Sequence, residues 1–229
     1  MQIAGLQKTS LLDYPSKIAA VVFTLGCNFR CPYCHNPNLI TAVSSDKLFD
    51  ETAVFDFLNK RKGMLDAVVV SGGEPTLQKD LAKFFRKLKN MGYLTKLDTN
   101  GTNPMLVKDL VNKELVDYIA MDIKAPLQKY NQTVNRNIHR NEIEQSIDFI
   151  KNCGLDYEFR TTVVKSQLSI KDFESIGSLL KGAHKYYLQK FVSAHTLNPN
   201  FKDEKTYSDT DFEKIKLSLL KYIDNVYIR

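Results

Sequence analysis

The strongest constraint on the fold is a strict alternation of two kinds of segment along the chain. Short β-branched apolar runs lie at IAAVVFTL (18–25), AVVVSG (67–72), YLTKLDTNG (93–101), VDYIAMDIK (116–124), YEFRTTVV (157–164) and YYLQKFVSA (186–194). Longer amphipathic stretches fall between them, at 50–62, 77–92, 103–113, 141–154 and 169–182, with a last one at 209–223. Apolar runs of strand length between helix-period segments read as repeated βα units with a parallel sheet. The helix ends carry their own punctuation: Gly92 and Gly154 close two of them, and Pro104 stands in the first turn of a third.

Six such units run from residue 18 to 194, preceded by an extended arm or hairpin at 1–17 and followed by a loop and helix over 195–229, with NVYIR as a short terminal strand. Eight units and about 250 residues would complete a closed barrel. A chain of 229 residues is therefore read as a single α/β domain with an open partial (β/α)6 barrel of parallel strands. A flat doubly wound sheet is the competing architecture, but neither GxGxxG nor GxxxxGK[ST] occurs to support it. The polar stretch at 198–210 reads as a surface loop.

Composition narrows the partners. Thirty-two Lys and Arg against 26 Asp and Glu give a net charge of +6, spread as solvated helix faces at 60–62, 86–89 and Lys181, Lys185 and Lys190. Basic residues gathered on one face with aromatic partners would mark nucleic-acid binding, and that pattern is absent. No apolar run reaches the ~18 residues of a membrane span, and the N-terminus lacks the charged-then-apolar order of a signal peptide. The expected location is the cytoplasm.

The four cysteines are not scattered. Cys27, Cys31 and Cys34 form C-x3-C-x2-C directly after the first apolar run, and Cys153 stands alone before Gly154. Three thiolates from one loop fit an iron–sulfur cluster with one iron left open. Zinc is the alternative, with His35 or Cys153 as a fourth ligand, although the usual second ligand pair is missing. His139 and His184 lie in polar, helix-flanking sequence and read as surface residues.

Other polar residues collect where strands end. SGGEPTLQ (71–78) brings two glycines, which allow close backbone approach, and Glu74, which offers a carboxylate to a cation; an ordinary βα turn explains the same residues. LDTNG places Asp98 at the end of its strand, and AMDIKAP places Asp122 and Lys124 at the end of the next, the end where barrels carry their active sites. Arg160 within its strand needs an anionic partner if it is buried, and faces outward otherwise. His195 follows the sixth strand and has a structural reading beside the functional one.

With Tyr33 before its last cysteine, the CNFRCPYC segment resembles the signature of the radical S-adenosylmethionine (SAM) enzymes, and the likeness covers nearly the whole chain. The resemblance implies a [4Fe-4S] cluster on Cys27, Cys31 and Cys34. It also implies SAM chelating the open iron and reductive cleavage of SAM to methionine and a 5′-deoxyadenosyl radical. GGEP is similar to the family's segment that holds the SAM amino group, which assigns Gly72, Gly73 and Glu74 to SAM. DTNG and DIK resemble elements of the glycyl-radical-enzyme activases: Lys124 would meet the SAM carboxylate, and Asp98 and Asp122 would support SAM and a monovalent cation. Arg160 and His195 occupy positions that face SAM in those activases.

The opening GLQKTSLLDYPSKIAAVVFTLGCNFRCPYCHNPNL looks like the activating proteins of anaerobic ribonucleoside-triphosphate reductase, with Ser16 where their pattern has glycine. The implied substrate is a glycine of that reductase. Pyruvate formate-lyase or another glycyl radical enzyme is the alternative, and a small-molecule radical SAM reaction a further one. Reduced flavodoxin or ferredoxin is the implied electron donor.

Overall fold

The computed structural model describes residues 1–40, 48–193 and 196–229. The chain falls into two units: Met1–Asn28, Asn38–Thr99 and Met105–Ile119 make the first, and Phe29–Pro37, Asn100–Pro104 and Ala120–Arg229 the second.

In the first unit β1 (Ile3–Ser10) runs antiparallel to β2 (Ala19–Thr24), so the expected arm is a full strand. β2 pairs in parallel with β3 (Ala67–Gly72), and β3 with β4 (Leu94–Thr99), in the register Val21↔Val69 and Ala67↔Leu94. β5 (Tyr118–Asp122) starts in this unit, where the Asp117 N–H preceding it donates to Thr95 O at 2.9 Å. Val21, Val22 and Val68 to Val70 are all buried, because parallel strands covered on both faces need unbroken apolar runs. The helices of this unit's stretches are α1 (Glu51–Lys60), α2 (Leu81–Asn90) and α3 (Pro104–Asn112). α2 buries Leu81, Phe84, Phe85 and Leu88, the i, i+3, i+4, i+7 stripe of a helix lying on a sheet.

The second unit holds the end of β5, then β6 (Asp156–Val163), β7 (Lys185–Lys190) and β8 (Asn225–Ile228), with β6, β7 and β8 parallel. The Ile123 N–H donates to Arg160 O at 2.8 Å and ties the end of β5 to β6. Its helices are α4 (Tyr130–Val134), α5 (Arg140–Asn152), α6 (Ile170–Leu179) and α7 (Asp209–Leu219).

Every strand neighbours the next in sequence, from β1 to β8. A doubly wound sheet reverses its strand order at a switch point, and among the described residues no reversal occurs, so that alternative falls. The six long helices and the strands from residue 18 onward lie within a few residues of their expected ranges. α4 was not legible: five residues are too few to display a 3.6-residue period. The expected loop at 198–210 holds a short 3₁₀ turn, Pro199–Asp203, which buries Phe201.

Candidate active site

In the first unit the GGEP turn is fastened to the strand end that delivers Cys27. The Gly73 N–H donates to Thr24 O at 2.9 Å and the Glu74 N–H to Gly26 O at 2.8 Å. A Cβ on Gly72 would lie 2.3 Å from Thr24 N, and one on Gly73 would lie 2.0 Å from Gly26 O. The absence of a side chain at these two positions thus lets the turn pack directly on the protein's own backbone. Gln78 completes the seam, its amide donating to Leu25 O at 2.7 Å and its Oε1 accepting from Gln2 N at 2.9 Å.

Glu74 is 1% exposed. Its Oε1 accepts from Thr76 N (3.1 Å), Thr76 Oγ1 (2.6 Å) and Thr99 Oγ1 (2.8 Å), which sets the orientation of the carboxylate. A buried carboxylate is tolerated only with such partners. Asp98 at the end of β4 has Lys96 Nζ 3.1 Å from its Oδ1. The carboxylate assigned to a monovalent cation thus already has an ammonium beside it.

In the second unit Asp122 is the hub. Its Oδ1 accepts from Arg160 Nε at 2.6 Å and its Oδ2 from Lys124 Nζ at 2.9 Å. Burial pushes the Asp122 carboxyl up, but the charges and hydrogen bonds of Arg160 and Lys124 outweigh it and hold the group well below the usual carboxylate range. Lys124 is correspondingly raised, since Asp122 more than offsets the desolvation of its ammonium. The fully buried Tyr130 accepts from Lys124 N (3.2 Å) and donates to Asp122 O (3.3 Å), so α4 pins the DIK segment. Behind Arg160, Glu158 lies 4.0 Å from Arg160 Nη1 and 3.4 Å from Arg229 Nη2.

The same unit grips the cysteine loop. The Arg30 N–H donates to Val134 O (2.8 Å), the Leu197 N–H to Cys34 O (3.1 Å) and the Asn198 N–H to Pro32 O (2.9 Å). His35 is engaged structurally, Nε2 on Val192 O at 2.7 Å and its ring stacked on Phe191. Burial pushes the Cys31 thiol up to about 11, opposed by the positive charge of Lys124. Tyr33 is buried beside it. Cys153, at the end of α5, donates to Ile150 O at 3.3 Å and precedes β6, away from the strand ends that carry Asp122 and Lys124. His195 lies outside the described residues, two positions before Leu197.

All four cysteines are free thiols. Among the described residues no three His, Cys, Asp or Glu side chains stand close enough to hold one metal ion, as a zinc site would require. A four-iron cluster spreads its thiolates over different irons, and an all-sulfur set of three on one loop fits it. Lys96, Glu158 and Tyr130 escaped the sequence reading. The first two carried a signal, because KLD and EFR each place opposite charges two residues apart, on one face of a strand.

A loop of three thiols after a parallel strand, with polar side chains at the following strand ends, defines a class. Residues 21–180 match the radical SAM superfamily, and the chain belongs to it. It is a radical SAM oxidoreductase of the family that uses a [4Fe-4S] cluster and SAM, and whose fold is a partial barrel. Within that family it is similar to a Methanocaldococcus jannaschii protein that bears the provisional name glycyl-radical enzyme activating enzyme. The two are 35% identical over 236 residues, covering 99% of this chain and 95% of the relative. A pyruvate formate-lyase-activating enzyme of Listeria monocytogenes is 34% identical over 135 residues, 54% of this chain and 53% of that one. The crystal structure of Escherichia coli QueE shares the fold, with a TM-score of 0.62 at 15% identity, covering 99% of this chain and 92% of its own. Among the described residues no helix is long and apolar enough to cross a membrane.

Proposed function

We propose that this protein activates a glycyl radical enzyme, and specifically an anaerobic ribonucleoside-triphosphate reductase, in the cytoplasm. The observation that carries the reading is the likeness to a glycyl-radical enzyme activating relative across nearly the full length of both chains. The GLQKTSLLDYP opening supports the choice of reductase. Pyruvate formate-lyase is the second reading, favoured by the likeness to its activating enzyme over half of this chain.

Cys27, Cys31 and Cys34 supply three thiolates and leave one iron of a four-iron cluster without a protein ligand. A cluster held by these three thiolates would supply the chemistry of the family, one-electron reductive cleavage of SAM to methionine and a 5′-deoxyadenosyl radical, with reduced flavodoxin or ferredoxin as the electron donor. Lys124 faces the SAM carboxylate: Asp122 takes one of its three N–H donors and leaves two. Asp122 and Arg160 aim that ammonium and complete the charge balance around it. By the same resemblance Gly72, Gly73 and Glu74 are assigned to the SAM amino group, Asp98 to the support of SAM and a monovalent cation, and Tyr33 and His195 to further SAM contacts.

Electron paramagnetic resonance tests the reading, because a glycyl radical gives a doublet from its single α-hydrogen. Reduced, reconstituted protein and SAM are mixed anaerobically with the reductase in one tube and with pyruvate formate-lyase in another. The expected result is a doublet in the reductase tube alone. A doublet in the formate-lyase tube alone selects the second reading. SAM cleavage with no doublet in either rejects both.

A further inference from the structure

Beyond Arg160, one face of β6, β7 and β8 is left unused by the roles assigned above. Tyr157, Phe159, Thr161 and Val163 are buried on β6, and Tyr186, Leu188 and Val226 continue that buried face across β7 and β8. The other face is polar. Arg160, Tyr187 and Tyr227 are successive partners across the three strands. The rings of Tyr187 and Tyr227 stack at 4.9 Å, the Arg229 guanidinium lies 3.8 Å over the Tyr187 ring, and Tyr227 is 42% exposed. Inward faces of closed barrels carry branched apolar side chains packed in layers, and β2 and β3 in this chain are apolar on both faces. β6 to β8 alternate instead, the pattern of strands with one face turned to something polar.

The row has a direction. At one end Arg160 donates to Asp122, which holds Lys124; at the other, Tyr227 lies on the last strand of the sheet. Two strand spacings separate Arg160 from Tyr227, about 10 Å, the reach of roughly three extended residues. The charges along it, Lys124, Arg160 and Arg229 against Asp122 and Glu158, leave one cation in excess.

We propose that the Arg160–Tyr187–Tyr227 row is the docking strip for the substrate polypeptide, an extended segment that crosses the exposed Tyr227 ring, which Tyr187 and Arg229 back, and brings its glycine to the Lys124 end. This rests on the reading of the chain as a glycyl-radical activase. Aromatic and arginine side chains are the usual anchors of protein interfaces. The flat, exposed ring of Tyr227 accepts a peptide backbone of any sequence, and a glycine lets that backbone approach closely. The excess cation favours an acidic residue near the glycine.

The test uses reconstituted wild type, Tyr227→Ser and Tyr227→Phe, with dithionite as reductant. SAM affinity and 5′-deoxyadenosine formation are measured without partner, and the glycyl doublet is titrated with whichever glycyl radical enzyme the wild type activates. Tyr227→Ser is expected to keep both partner-free readouts and to need about tenfold more partner for half-maximal radical, the equivalent of ~1.4 kcal/mol. Tyr227→Phe, which retains the ring, is expected to titrate as wild type. Identical titrations for Tyr227→Ser and wild type overturn the strip. Weakened SAM binding in Tyr227→Ser overturns it too, because the row would then belong to the SAM contacts. A wild type that cleaves SAM but leaves no doublet on either enzyme overturns the functional reading itself, and the strip's occupant with it.

Discussion

Lys96 and Asp98 rise from the same face of β4 with Nζ 3.1 Å from Oδ1, and only 3% and 8% of their side chains are exposed. The ammonium also donates to Asp13 O at 2.6 Å and lies 5.6 Å from the centre of the Tyr118 ring. A charge this deep is tolerated because its partner and its hydrogen bonds are already in place.

Removing one partner strands the other. Lys96→Met is expected to destabilise the protein by about 3–5 kcal/mol, the usual cost of an uncompensated buried charge. Adding Asp98→Leu should recover most of that loss. Urea denaturation of the single and double variants checks it, and a double variant no better than the single would show that the pair is not what Lys96 stabilises.

Gly73 has no room for a methyl group, since its Cβ would lie 2.0 Å from Gly26 O. Gly73→Ala must push the GGEP turn away from the strand end that leads to Cys27. Overpacking of this kind costs about 1–3 kcal/mol, a fall in melting temperature of roughly 2–4 °C per kcal/mol for a chain of this size. Iron bound after reconstitution should fall with it. A variant with unchanged melting temperature and iron content would contradict the close approach.

Lys124→Ala removes the cation assigned to the SAM carboxylate while Asp122 keeps Arg160. Losing a charge-assisted hydrogen bond costs roughly 1.5–3 kcal/mol, so SAM affinity should drop by about one to two decades. Isothermal titration of the reconstituted variant reads this directly; unaltered affinity would take Lys124 out of the site.

Asp172 gives the pH dependence. Its Oδ2 accepts from Ser169 N, Ser169 Oγ and Lys129 Nζ, each at 2.7 Å, and so caps α6. Burial raises the carboxyl, but those three donors outweigh it and leave the group below the ordinary carboxylate range. A depressed folded value means stability that is fully present above the unfolded value and lost as pH falls through the folded one. Asp172→Asn should therefore be the less stable protein at pH 7, and its deficit should shrink on acidification below about pH 4, near the unfolded carboxyl value. Melting temperatures of both proteins at pH 7 and pH 3 decide it, and a deficit constant across that range would exclude the charge as its source.

The βα alternation, the cysteine loop and the polar strand ends were all legible in the chain, because each is a local pattern. A hydrophobic period of two or 3.6 residues states which side of a segment is buried without reference to any other segment. Asp98, Asp122 and Lys124 stood out for the same reason, as charges ending apolar runs.

What those charges touch is settled only by folding. Asp122 and Arg160 are 38 residues apart, and their contact depends on the pairing of β5 with β6. Tyr130 reaches the DIK segment from a helix too short to announce itself, and Gly72 and Gly73 turn out to serve the backbone of Thr24 and Gly26. The sequence by itself determined the elements, their order and the chemical kinds of residue at the strand ends. The tertiary structure alone decided which carboxylate meets which cation, because cross-strand partners are chosen by register and by the packing of distant segments, and neither is written in any local stretch of chain.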